Sequence, residues 1–155
     1  MSAPSACQFY GNNIDVEKLS DLSGATINML LTTSAYTPDT TNTGHTVLAN
    51  ITNELANGQG YLTGGVALSA PTIATFSTTG FKFSTGNASW TASGTGIPAW
   101  RYGVIYVVGA LWGITSPLLC YFTGDSAPAD IPLTASGNTL QINTPANGWF
   151  TVTRT

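Results

Sequence analysis

Charge is what this chain holds least of. Only 7% of its 155 residues are charged, seven acids against four bases for a net charge of −3, whereas soluble domains average about 25%. The bases Lys18, Lys82, Arg101 and Arg154 are scattered. Without a cluster of them nothing displaces the counterions of a nucleic-acid backbone, so nucleic acid is not expected as a partner. Histidine occurs once, at His45. A Ser–His or Cys–His couple would have to run through it, and no Gly-x-Ser-x-Gly elbow is present. One histidine and two distant cysteines also meet no zinc spacing. Asp125 and Asp130 share a loop and form the candidate pair for a calcium ion, although two Asp in a loop are more often simply solvated. Seven scattered acids do not spell out the placed carboxylate pair of a glycosidase. The expectation is a protein that is not an enzyme and holds no metal or cofactor.

Long apolar runs are missing as well. None approaches the roughly 20 residues that a bilayer crossing needs, so no membrane is expected as a partner. The opening residues, Met-Ser-Ala-Pro-Ser-Ala-Cys-Gln-Phe-Tyr, lack the basic start and apolar centre of an export signal. Cys7 and Cys120 could pair only across most of the chain and read as free thiols, with Cys120 buried in its apolar strand. Asn50-Ile51-Thr52 and Asn87-Ala88-Ser89 match the glycosylation pattern but need a secretory route that the chain does not show.

What is present is apolar and hydroxyl-rich: 43% of residues are hydrophobic, and Thr, Ser, Asn and Gly supply most of the remainder. A free monomer normally stays soluble through a surface of mixed charge. A chain this poor in charge is expected to hide surface against something, as part of an assembly that includes copies of itself, dimeric or trimeric. The alternative is a Thr-rich β domain kept hydrated by its hydroxyls.

The most apolar, β-branched and aromatic stretch runs from Ala99 to Gly109, and after Tyr102 both odd and even positions are apolar. That is the pattern of a central strand covered on both faces, bounded by Pro98 and Gly109. Arg101 stands at its start, where its guanidinium must reach water at the sheet rim or find an acid. Ala25–Thr33, Phe81–Ser84, Trp90–Ser93, Leu118–Phe122, Leu140–Ile142 and Phe150–Arg154 read as further strands. Residues 13–22, ended by Gly24, and Thr46–Leu55, with Val47, Leu48, Ile51 and Leu55 at helical spacing, read as short helices. Asn57–Leu68 is a glycine-spaced loop around Tyr61, Gly64 and Gly65. It leads into strand and has none of the Lys-Ser/Thr ending of a phosphate loop.

Residues 1–12 have no period and read as an arm, followed by a single β domain over 13–155. The arm carries Phe9 and Tyr10, which either anchor it on a neighbouring chain or belong to an edge strand folded back on its own sheet. Trp112, in the connection after the central strand, is a core residue or a contact residue. Short strands with turns between them indicate an all-β fold, a jelly-roll or sandwich-like antiparallel β domain with one or two short helices.

Several motifs occur together in order: Leu30-Leu31-Thr32-Thr33-Ser34-Ala35-Tyr36-Thr37-Pro38-Asp39, Ile51-Thr52-Asn53-Glu54, Gly58-Gln59-Gly60-Tyr61-Leu62-Thr63-Gly64-Gly65, Arg101-Tyr102-Gly103-Val104-Ile105-Tyr106 and Ser116-Pro117-Leu118-Leu119. Over roughly residues 25–122 the chain resembles small structural proteins of tailed-bacteriophage virions that look like capsid cement or decoration proteins. The Ser-Ala-Tyr-Thr-Pro turn and the Gly-Tyr-x-x-Gly-Gly loop carry most of that likeness. The resemblance implies a structural protein on the outer surface of the capsid, with the major capsid protein as partner. In that setting Phe9, Tyr10 and Trp112 are the candidate capsid or subunit contacts, while Tyr61, Gly64, Gly65 and Arg101 are structural. Other roles open to such a chain are a neck, tail or fibre protein, or, from another class, a carbohydrate-binding module using exposed Trp and Tyr.

Overall fold

A computed structural model describes Ser5 and residues 7–9, 16–77, 80–127 and 129–153. The expected all-β architecture is present. In chain order the strands are β1 (Gln8–Phe9), β2 (Ile27–Thr32), β3 (Val66–Leu68), β4 (Thr72–Ser77), β5 (Gly80–Ser84), β6 (Ala88–Thr91), β7 (Tyr102–Val107), β8 (Ala110–Leu111), β9 (Ile114–Thr115), β10 (Leu118–Thr123), β11 (Thr139–Ile142) and β12 (Phe150–Thr153). Every pairing among them is antiparallel.

The main sheet runs β1-β10-β7-β2-β3, with β7 in the middle. The strand expected to be central is central, and it is covered on both faces, for a reason visible in its pleat. Ile105 and Val107 point into one buried cluster, and Val104 and Tyr106 into another. The first cluster is the larger. It joins the inner face of the main sheet, including Ile27, Met29 and Leu31 of β2, to Phe83 of β5, Trp90 of β6, Leu140 and Ile142 of β11, and Trp149 and Phe150 at the head of β12. Those strands form a β12-β5-β4 sheet and a β11-β6 pair, which make the second layer of a sandwich. The second cluster lies on the outer face. There Leu30, Val104, Tyr106 and Leu118 are covered by Tyr36, Leu48 and Ile51 from the connection between β2 and β3. The bulge between Leu118 and Cys120 turns Leu119 and Cys120 both toward the larger core, so β10 serves both faces without strict alternation.

Two expected helices come out differently. The first is a 3-10 helix over Val16–Gly24, and residues 13–15 lie outside the described residues. Leu19 and Leu22 lie three residues apart, the period at which 3-10 side chains stack, and both are buried in the larger core. The second expected helix, 46–55, is reduced to a 3-10 turn at Leu48–Asn50. Tertiary partners take the backbone groups that a helix would need. Val47 bridges Pro117, Leu48 N–H donates to Ser116, Leu55 N–H donates to Leu31, and Glu54 bridges Thr32. The apolar spacing reflects two cores being served in succession, with Leu48 and Ile51 in one and Leu55 in the other.

Gly103 sits in β7 where the ring of Phe122 crosses the strand, leaving no room for a Cβ. Phe122 in turn stacks on Trp149 at 5.4 Å and meets Trp100 edge-on at 6.4 Å. One glycine in the central strand thus seats the aromatic spine between the two layers.

Candidate functional site

The glycine-rich loop is held by one carboxylate. Glu54 Oε1 accepts from the Tyr61 hydroxyl at 2.8 Å and from the Gly64 N–H at 2.6 Å, and the same hydroxyl accepts from the Leu31 N–H at 3.0 Å. The Gly64 carbonyl accepts from the Tyr106 hydroxyl and from the Asn28 side-chain amide. Gly65 follows at φ +74 with its α-carbon against the Met29 carbonyl, so any side chain there would strike backbone. Tyr61 is fully buried. Burial raises its phenol far above the usual range, with the Glu54 charge adding to the effect and the Leu31 N–H opposing it. Burial likewise raises Tyr106 and Tyr121. Tyr61, Gly64 and Gly65 are thus brought together as a structural unit. Each polar atom named faces another protein group, which makes this a fastening for the loop. Glu54, its hub, was not singled out in the sequence.

The other candidates are spread over the fold. Phe9 lies on β1, whose backbone pairs with β10, so the described part of the arm is an edge strand of its own sheet; Tyr10 lies outside the described residues. Trp112 forms the tip of the β8–β9 hairpin. It holds a left-handed φ of +56, followed by Gly113 at +77, the pattern of a type I′ turn. Its indole N–H donates to Asp21 at 3.1 Å, and the ring packs partly against the larger core. Between this hairpin and the 3-10 helix lies an open groove of about 510 Å³, lined by Asp21, Thr26, Val108 and Leu111 among others. Arg101 pairs with Asp130 at 2.8 Å with both side chains partly exposed, so the rim and ion-pair readings both hold. Asp125 accepts instead from the Ala127 N–H within its own turn. Among the described residues no group of three or more His, Cys, Asp and Glu comes together. His45 is occupied by Tyr36, whose hydroxyl lies 3.0 Å from Nδ1 and whose ring stacks on the imidazole. Hydrogen bonds from Thr41 lower the Asp39 carboxyl in the same loop.

One surface stands apart. Three loops, 57–63, 93–97 and 132–138, pack side by side. Gln59 clamps the first two: its carbonyl accepts from Ser93 N–H, and its side-chain oxygen accepts from Thr95 N–H at 2.7 Å. Ala92 joins the third through Asn138 and Gly137, and Ile97 and Thr134 exchange both backbone bonds. None of the three loops contains a charged residue. Leu62, 66% exposed, and Leu133, 52% exposed, stand on the two outer loops, among small polar residues. Depletion of charge around apolar anchors is the compositional mark of an interface, and loops already cross-braced lose little freedom on binding. Apart from the buried Tyr61, Gly96 and Ile97, the residues of the three loops are at least partly exposed. The sequence showed the turn residues, but only the fold puts the three loops together.

No protein-family model, curated protein or solved structure matches this chain. Its functional reading therefore rests on its own surface and chemistry.

Proposed function

We propose that the chain is a non-enzymatic structural protein of a tailed-phage virion, a cement or decoration protein that binds the major capsid protein on the outside of the head and stabilises the shell. The observation that carries this reading is the braced, charge-free loop face with Leu62 and Leu133 exposed upon it. It fits a partner surface that is likewise uncharged, buried by area and shape with no bond chemistry involved. The low overall charge supports the reading in the same way, since a protein whose surface is largely covered in an assembly does not need charge for solubility. A carbohydrate-binding role is less well supported. Such modules present aromatic rings to solvent, whereas Trp90, Trp100 and Trp149 are buried here and the Trp112 indole N–H is engaged by Asp21.

The test is co-sedimentation of purified protein with phage heads that lack it, followed by imaging of the decorated particles. Wild type should bind at a copy number set by the symmetry of the shell. Leu62→Asp combined with Leu133→Asp should abolish binding while leaving the melting temperature of the free protein unchanged. Full occupancy by the double variant would overturn the docking face. Labelling confined to a single ring at the neck or tail would overturn the cement role in favour of a neck or tail protein.

A further inference from the structure

The two cysteines, remote in sequence, meet in the fold. In the β1–β10 pairing Phe9 is opposite Cys120 and Gln8 is opposite Tyr121, which sets Cys7 on the same side of the sheet as Cys120, diagonally across the pair. Cys120 lies in the larger core and Cys7 packs against that core while remaining partly exposed. Burial pushes the Cys120 thiol up, and the neighbouring Cys7 adds to the effect. Both are free thiols.

The strand they would join is short. β1 is two residues long, and beyond it the Ser5 N–H donates to the Thr123 carbonyl while the Thr123 N–H donates to the Ser5 hydroxyl. β10 has β7 on its other side, so β1 is the element that closes its outer edge. An open edge of this kind is a template for pairing with another chain.

We propose that Cys7 and Cys120 are a redox site, forming a reversible disulfide that locks the N-terminal strand over the edge of β10. The oxidant is a small-molecule disulfide of the glutathione type. The Cys7 thiol, the one that solvent reaches, loses its proton and attacks one sulfur of that disulfide. The small disulfide bond breaks, one thiol leaves carrying the proton, and a mixed disulfide remains on Cys7. Cys120 then loses its proton and attacks the Cys7 sulfur, expelling the second small thiol. In sum two protein thiols are oxidised, one small disulfide is reduced to two thiols, and two hydrogens pass between them. Reduced, the strand can leave the edge; oxidised, it is tied across a closed loop that spans most of the chain. The inference stands on the cysteine pair and is independent of what the loop face binds.

The experiment uses the full chain, incubated with oxidised glutathione or with dithiothreitol and examined by intact mass, non-reducing peptide mapping and thermal melting. Oxidation should give a monomer lighter by two hydrogens, with the Cys7 and Cys120 peptides joined and the melting temperature raised by about 5–15 °C. Dithiothreitol should reverse both changes. Cys7→Ser should show neither, and Cys120→Ala should accumulate the mixed disulfide on Cys7, because the resolving thiol is gone. The proposal is overturned if wild type stops at the mixed disulfide or cross-links only between chains. It is equally overturned if the chain forms the internal bond without a change in melting temperature.

Discussion

Removing a single oxygen at Tyr61 should destabilise the protein by about 2–4 kcal/mol. The change Tyr61→Phe keeps the ring, so the fully buried packing of the side chain and its stacking on Trp90 at 6.1 Å are retained. What goes is the hydroxyl and its two hydrogen bonds, one accepted from the Leu31 N–H and one donated to Glu54. The Leu31 N–H belongs to a buried residue of β2 and would be left without its partner, a cost of about 1–3 kcal/mol. The bond to the carboxylate is charge-assisted and worth about 1.5–3 kcal/mol in general. Its loss is discounted here because Glu54 is only half-buried and keeps the Gly64 N–H. The sum corresponds to a drop of roughly 5–15 °C in melting temperature for a chain of this size, measurable by urea or thermal unfolding followed through tryptophan emission. Alkaline pH offers a second readout. The folded-state phenol of Tyr61 is raised above its unfolded value near 10, so its contribution is complete below about pH 10 and is lost as pH rises beyond that. The slope is up to about 1.4 kcal/mol per pH unit while the folded phenol stays protonated. Tyr61→Phe should flatten that limb of the stability curve. A variant within about 0.5 kcal/mol of wild type at neutral pH, with the alkaline limb unaltered, would refute the assignment of Tyr61 as the fastening of the glycine loop.

Arg101→Ala should cost about 1 kcal/mol or less, because its ion pair with Asp130 is partly exposed on both sides and screened by water; a loss near 3 kcal/mol in a denaturant melt would mean that the guanidinium compensates a buried charge. Gly65→Ala and Gly109→Ala form a matched pair, since both glycines hold φ near +80 but only Gly65 faces backbone, the Met29 carbonyl, while Gly109 faces open space. The Gly109 variant should lose about 1–2 kcal/mol from backbone strain alone, and the Gly65 variant about 3 kcal/mol or more because main chain must also move. Equal losses in equilibrium unfolding would show that strain, and not the close approach of the chains, decides at Gly65.

The strands were readable wherever a side-chain pattern of period two, or an unbroken apolar run, recorded the environment directly. β7 is the clearest case. A strand buried on both faces cannot carry charge on either, and the residues from Tyr102 to Val107 state that requirement locally. Tyr36 and Tyr61 illustrate the middle ground. Their motifs marked turns, but the reason for a tyrosine at each position is a partner elsewhere: His45 and the outer-face cluster for one, Glu54 and the Leu31 N–H for the other. β4 left no signal of its own, because nearly all of its residues are exposed and it is held by pairing with β5.

By itself the amino-acid sequence determined the all-β class, the central strand, the turns and the shortage of charge, all properties of residues and their near neighbours. Only the tertiary structure decided that residues 46–55 would be mostly extended, that Glu54 would be the hub of the glycine loop, that three uncharged loops would share one face, and that Cys7 would meet Cys120. The physical reason is common to these four. A backbone N–H, a carboxylate or a thiol takes whichever partner the packed fold brings within reach, and between strands paired across a sheet that partner lies dozens of residues away in the chain.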